Sequence, residues 1–248
     1  MPINDVTDIS RLREVEQVLS SIWGSESSPV PLDILRAVTH AGGHVAGCWE
    51  DETLVAASVA TPADQVTLYS IVVGVTSGQT GRGLGQMMKQ HQRAWALSAG
   101  FSNIRWTVDP LLRLNAHFNL LRLGAHTSGY EEDFFGAVHD AFNDGGPSDR
   151  LVVDWPLDAD PRRPSPGWSA GAVTIEQGPD RLPAVIRDGP LTWLRIPDDI
   201  VFLRATDAEA SDAWTQIYRT HMSAPMRSRH VTVAGLTTAG WYVLEQRA

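Results

Sequence analysis

The chain has 248 residues, enough for one large domain or two small ones, and a 43% hydrophobic share with nine Trp supplies a core. Charged residues make up 20%, which excludes a disordered chain, and the net charge of −9 speaks against nucleic acid as a partner. The single cysteine, Cys48, excludes an internal disulfide and a cysteine-rich metal site.

In chain order, residues 1–5 lack the basic start and apolar stretch of a signal peptide. No apolar run approaches the roughly 20 residues of a membrane span, so a cytoplasmic protein without a membrane partner is expected. Leu12, Val15, Leu19 and Ile22 form one stripe at helical spacing over 12–23. A loop over 25–31 leads to a short helix over 32–41 that stops at Gly42-Gly43. Residues 44–50 and 54–60 read as a hairpin turning at Asp51-Glu52, with Cys48 as a small buried hydrophobe in its first strand. A third strand follows over 67–75. The next helix, from Gly83 to near Gly100, places Leu84, Met88, His91 and Trp95 on one face. A strand over 104–108 ends at Asp109-Pro110. A helix over 113–124 and strands over 125–130 and 151–155 complete a mixed α/β layer fold.

Residues 156–168 are rich in Pro and charge and read as a linker. Beyond them come a strand over 191–196, a helix over 207–221 capped by Thr206 or Asp207, and short strands over 231–234 and 241–244. The expected organisation is therefore a domain over 1–155, a linker over 156–168 and a smaller α+β region over 169–248 that packs on the first. Trp193, Trp214 and Trp241 suit either a core or a dimer interface in that last region.

The stretch Gly81-Arg82-Gly83-Leu84-Gly85 lies between a strand and a helix. Glycines let a backbone approach an anion closely, and the unpaired amides and positive dipole end of the helix then hold it. Arg82, Lys89 and Arg93 lie in or just after this turn and offset the acidic total locally, since acids beyond about 8 Å are screened at physiological salt. Turns use glycine for many reasons, but the strand, helix and strand around this one strengthen the anion reading.

This combination resembles the GNAT superfamily of acyl-CoA-dependent N-acyltransferases. The family's pyrophosphate signature, Q/R-x-x-G-x-G/A, places its glycines on Gly83 and Gly85; its Q/R position falls on Thr80, with Gln79 one residue earlier. The helix ending Arg122-Leu123-Gly124-Ala125 resembles the family's segment ending K-x-G-F. Asn115-Ala-His-Phe-Asn119 followed by Gly145-Gly-Pro-Ser-Asp-Arg150 resembles one bacterial branch of the superfamily that carries a C-terminal extension. The resemblance implies a central mixed sheet flanked by helices, with acetyl-CoA or another acyl-CoA as co-substrate. It implies a small-molecule amine as acceptor. The cradle would comprise Thr80, Gly81, Arg82, Gly83, Leu84 and Gly85. The pantetheine arm would pair with the strand ending Val73-Gly74-Val75, the amide of Val73 polarising the thioester, and Asn115 would reach the same arm unless it only caps its helix.

The family's usual acid, a Tyr four residues before the glycine of K-x-G, is replaced here by Leu120. Tyr130 is the candidate substitute, with a core aromatic as the alternative. Asp109, at the C-terminal end of a strand where ligands gather, is the candidate base, with a helix-capping or cation-binding carboxylate as the alternative. His117 is a second base candidate unless it faces solvent. Tyr69 and Ser70 are candidates to line the acceptor pocket. Asp149-Arg150 reads as a structural ion pair. No motif spacing supports a metal. The expected chemistry is direct attack in a ternary complex, with acetyl as the default acyl group. The alternatives are an amino-acid N-succinyltransferase-like enzyme, a non-catalytic acyl-CoA-binding protein, or, more remotely, a nucleotide-binding protein.

Overall fold

The computed structural model describes residues 1–24, 28–143, 145–158 and 183–247. The chain divides into two compact units. The first comprises Met1–Trp106 with Asp140–Phe142 and Pro156–Asp158; the second comprises Thr107–His139, Asn143–Trp155 and the chain from 159 onward. This division differs from a boundary at 156–168, of which residues 159–168 lie outside the described set.

In the first unit, β1 (Ile3–Asp5) precedes α1 (Ile9–Trp23) and α2 (Leu32–His40). Asp8 caps α1 by accepting the Ser10 N–H, and Gly24 closes it at φ 60°. Next come β2 (His44–Glu50), β3 (Thr53–Pro62) and β4 (Thr67–Val75). Asp51 and Glu52, at φ 47° and 66°, form the tight turn between β2 and β3. After α3 (Leu84–Ser98), β5 (Asn103–Val108) begins in this unit and runs into the second. β1 to β4 pair antiparallel in chain order, and the α3 crossover sets β5 parallel to β4.

Strands β2 and β3 are buried on both faces, which is why they read as apolar runs rather than alternating patterns. Val45, Leu54, Ala57 and Val59 face α1 and α2 residues such as Leu12, Leu19 and Leu35. Ala46, Cys48, Val55 and Ala56 face Leu84 and Met88 of α3. Gly43, between α2 and β2, is held tightly. A Cβ there would stand 2.7 Å from the Ala60 carbonyl oxygen and 2.9 Å from that of Val38, both backbone atoms. Gly43→Ala is accordingly expected to cost about 1–3 kcal/mol, read as a lower urea midpoint at unchanged m.

The second unit opens with α4 (Arg113–Ala116), continued by a π-helical stretch, His117–Arg122, and ended at Gly124 with φ 70°. β6 (His126–Glu131) and β7 (Arg150–Pro156) pair antiparallel. Then come β8 (Val185–Asp188), β9 (Leu191–Arg195), α5 (Ile200–Thr206), α6 (Ala208–Tyr218), a π-helical turn over Arg219–Ser223 and α7 (Ala224–Arg227). β10 (Val231–Leu236) and β11 (Trp241–Gln246) complete a four-stranded sheet in the order β10-β11-β9-β8. Trp214 and Tyr218 of α6 and Tyr242 of β11 are the largest fully buried side chains among the described residues. The expected helix over 207–221 is thus two segments, capped by Asp207. No described helix is long and apolar enough to cross a membrane.

Candidate functional site

The glycine turn is built by the end of β4. Thr76 starts a short 3₁₀ turn over Ser77–Gln79, closed by the Gln79 N–H on the Thr76 carbonyl at 2.9 Å. Thr80 is extended, Gly81 takes φ 80°, and Gly83 takes φ 79° as the N-cap of α3. Only glycine adopts that left-handed conformation at little cost. No side chain caps α3, and its first hydrogen bond runs from the Met87 N–H to the Gly83 carbonyl at 3.1 Å. The backbone N–H groups of residues 81–86 therefore donate to no acceptor among the described residues. A Cβ added at Gly81 or Gly83 would meet nothing within 4 Å, so the space beside the turn is open. Unsatisfied amides at a helix N-terminus, in open space, suit an anion.

The three cations expected to serve this turn are each engaged elsewhere. The Arg82 guanidinium pairs with Glu50 at 3.0 Å, and Gln79 donates to the same carboxylate at 2.7 Å. The Arg82 hydrogen bond holds the Glu50 carboxyl below its usual range. Arg93 donates to the Leu157 carbonyl. Lys89 is fully buried. The attraction for an anion thus rests on backbone amides and the helix dipole rather than on side-chain charge.

Lys89 occupies an internal polar site that sequence periodicity did not foresee. Its Nζ donates to Ser70 Oγ at 2.9 Å and to Gln92 Oε1 at 3.4 Å, and lies 3.8 Å from the Trp106 ring centroid. Among the described residues no carboxylate faces it, and burial pushes its pKa down to about 7. Ser70, expected at the acceptor pocket, is instead 3% exposed and turned to this lysine. The parallel register of β4 and β5 covers Thr67–Tyr69 against Asn103–Arg105 and breaks off just before Ser70 and Trp106. Tyr69 is half-buried, and Val73 and Val75 pack beside Leu84 and Met88.

The remaining candidates lie in the second unit. Asp109 is 5% exposed; its Oδ1 accepts the Leu111 N–H at 2.8 Å and its Oδ2 lies 2.8 Å from the Arg204 guanidinium. That is the arrangement of a capping and ion-paired carboxylate. Tyr130 is buried, and its hydroxyl donates to Asp149 Oδ2 at 2.9 Å. Burial and the Asp149 charge push its phenol well above the ordinary tyrosine value. The Asn115 side chain is exposed, His117 is half-buried, and Leu120 is buried where the resemblance places a Tyr.

Asp149 is a structural ion-pair residue as expected, but with a different partner. Arg219 grips it with Nε at 2.9 Å and Nη2 at 2.7 Å. Arg150 instead lies over the Phe135 ring and donates to the Asp149 backbone carbonyl.

No protein-family model and no curated protein matches the sequence. Solved structures do match. The ribosomal-protein-S18-alanine N-acetyltransferase of Escherichia coli superposes with a TM-score of 0.53 at 10% identity, over 64% of this chain and 95% of that one. An N-acetyltransferase from Staphylococcus aureus Mu50 gives 0.52 at 12% identity, over 63% and 98%. A GNAT family acetyltransferase from Elizabethkingia anophelis, solved with acetyl-CoA bound, gives 0.51 at 11% identity, over 62% and 97%. The chain therefore has the GNAT acetyltransferase fold, a mixed sheet flanked by helices, together with a second, smaller sheet. Nearly the whole of each neighbour is covered, while about a third of this chain extends beyond them.

Proposed function

We propose that this chain is an acyl-CoA-dependent N-acyltransferase that passes an acyl group, acetyl by default, to a primary amine of a small molecule. The observation that carries this reading is the run of unpaired amides over 81–86 beside open space at the start of α3. These amides suit the diphosphate of coenzyme A, and several solved neighbours are acetyltransferases, two of them with acetyl-CoA bound.

In the reaction, the amine nitrogen attacks the thioester carbonyl, the C–S bond breaks, and the thiolate leaves. A thiol of pKa about 8.5 is a good enough leaving group to depart without a dedicated acid. An alkylammonium of pKa about 10 must first lose a proton. With Asp109 held by Leu111 and Arg204, that proton is assigned to solvent.

Calorimetric titration with coenzyme A tests the donor site. Saturable binding is expected. Gly83→Val should weaken it about 10- to 100-fold, because a β-branched residue at φ 79° costs about 1–3 kcal/mol and turns the amides away. Wild-type protein that takes up no coenzyme A would end the proposal. A second reading, acyl-CoA binding without catalysis, is favoured by Leu120 and by the tie between Tyr130 and Asp149. Amine-dependent release of the coenzyme A thiol separates the two, since a binder releases none.

A further inference from the structure

Three side chains far apart in sequence converge in the first unit: Asp5 at the end of β1, His44 at the start of β2 and His91 in the second turn of α3. A single oxygen, Asp5 Oδ1, lies 2.9 Å from His44 Nε2 and 2.8 Å from His91 Nε2. All three ligand-type atoms lie within 4.8 Å of one another, and no other group of three His, Cys, Asp or Glu residues does so among the described residues. We propose that these atoms bind a divalent transition metal of the zinc class, with water completing the coordination.

The donor set fits. Two imidazole nitrogens and one carboxylate oxygen suit a borderline cation such as zinc, and three protein ligands with one open position form a familiar tetrahedral arrangement. Metal–ligand distances of about 2.0–2.2 Å set tetrahedral ligand atoms roughly 3.3–3.5 Å apart. The present 2.8–2.9 Å contacts need to open by only about half an ångström. Asp5 can give that ground, since its side chain is 51% exposed. The His91 side chain is 27% exposed, leaving the cluster open to solvent on one side.

The His44 ring is held in place by Trp95, with centroids 4.6 Å apart. Its Nδ1 is buried with no hydrogen-bond partner, so when Nε2 takes the metal the ring carries its proton on Nδ1 without an acceptor, which is unfavourable. The same missing outer partner limits the affinity, and micromolar binding is expected rather than the tighter grip of a structural zinc site. Bound metal would clasp the three-residue strand β1 to α3, the helix whose first turn carries the unpaired amides.

The test uses the full, untagged chain freed of metal with a chelator and titrated with cobalt(II), then with zinc. The expected result is one equivalent taken up, with visible ligand-field bands of tetrahedral cobalt that zinc abolishes. Asp5→Ala and His91→Ala alter partly exposed side chains and should leave the far-ultraviolet circular dichroism unchanged while weakening uptake roughly 100-fold or more. Absence of saturable uptake overturns the proposal, and so does uptake that survives both substitutions, which would place the metal on others of the eight histidines. The readout is metal binding, so it stands apart from any result with coenzyme A.

Discussion

Replacing Lys89 with methionine should stabilise the folded chain at neutral pH by about 2–4 kcal/mol. Burial lowers the lysine pKa from 10.5 to about 7, and each unit corresponds to about 1.36 kcal/mol. The charged form is thus penalised by about 3–5 kcal/mol in the folded state. Methionine removes that penalty and fills a similar volume. It also leaves the Ser70 hydroxyl without its partner, which takes back about 1 kcal/mol. The sign with pH follows from linkage. Between pH 7 and 10.5 the unfolded lysine binds more protons than the folded one, so wild-type stability rises with pH through that window. The advantage of Lys89→Met should therefore be largest at and below pH 7 and fade toward pH 10.5. Urea unfolding of both proteins at pH 6, 8 and 10 measures this. An advantage that does not change with pH would mean that the buried ammonium carries no such penalty. A destabilised variant would mean that the Trp106 and Ser70 contacts outweigh desolvation. If stability rises while thiol release falls, the lysine is kept at the expense of stability because the site needs it.

What could be read from the sequence was local. The glycine turn, the strand before it and the helix after it declare themselves in one short stretch, because left-handed turns need glycine and helices show their period. β2 and β3 were legible as apolar runs despite being covered on both faces. The buried face of α3 was not fully legible. Hydrophobic spacing placed His91 and Trp95 beside Leu84 and Met88, whereas the buried set is Leu84, Met88, Lys89, Gln92 and Ala96. No rule of periodicity assigns a lysine and a glutamine to a core. Two elements were too short to signal, β1 with three residues and β8 with four. The pairs that define the second unit join distant positions: Asp109 with Arg204, and Asp149 with Arg219. So does the Asp5, His44 and His91 cluster, whose members no motif spacing connects. The π-helical turn over Arg219–Ser223 has no simple sequence signature, yet it holds the arginine that grips Asp149.

Asp149→Ala should destabilise the second unit by about 3 kcal/mol or more. The carboxylate accepts four hydrogen bonds: two from Arg219, one from the Tyr130 hydroxyl at 2.9 Å and one from the Asp133 N–H at 3.0 Å. Truncation leaves a buried hydroxyl unsatisfied and a guanidinium without its counter-ion. Breaking a buried pair in this way costs about 3–5 kcal/mol, and the 23% exposure of the Arg219 side chain places the loss toward the low end. The effect should depend on pH in a fixed direction. Burial works to raise the Asp149 pKa, but the Arg219 hydrogen bond, with those from Asp133 and Tyr130, holds it below the ordinary value. A depressed folded pKa adds stability that is present above the unfolded value of about 3.9 and is lost as pH falls through the folded value. The gap between wild type and Asp149→Ala should thus be constant near neutrality and close only in acid. A double-mutant cycle with Arg219→Ala isolates the pair, since coupled residues give losses that overlap rather than add. Tyr130→Phe completes the test and joins stability to chemistry. It removes one charge-assisted hydrogen bond to the same carboxylate and should cost about 1.5–3 kcal/mol. If Tyr130 serves Asp149 and not a leaving thiolate, thiol release by the folded Tyr130→Phe protein keeps its rate and its pH profile. A rate loss of about 100-fold or more without unfolding would instead make this phenol the acid that Leu120 does not supply.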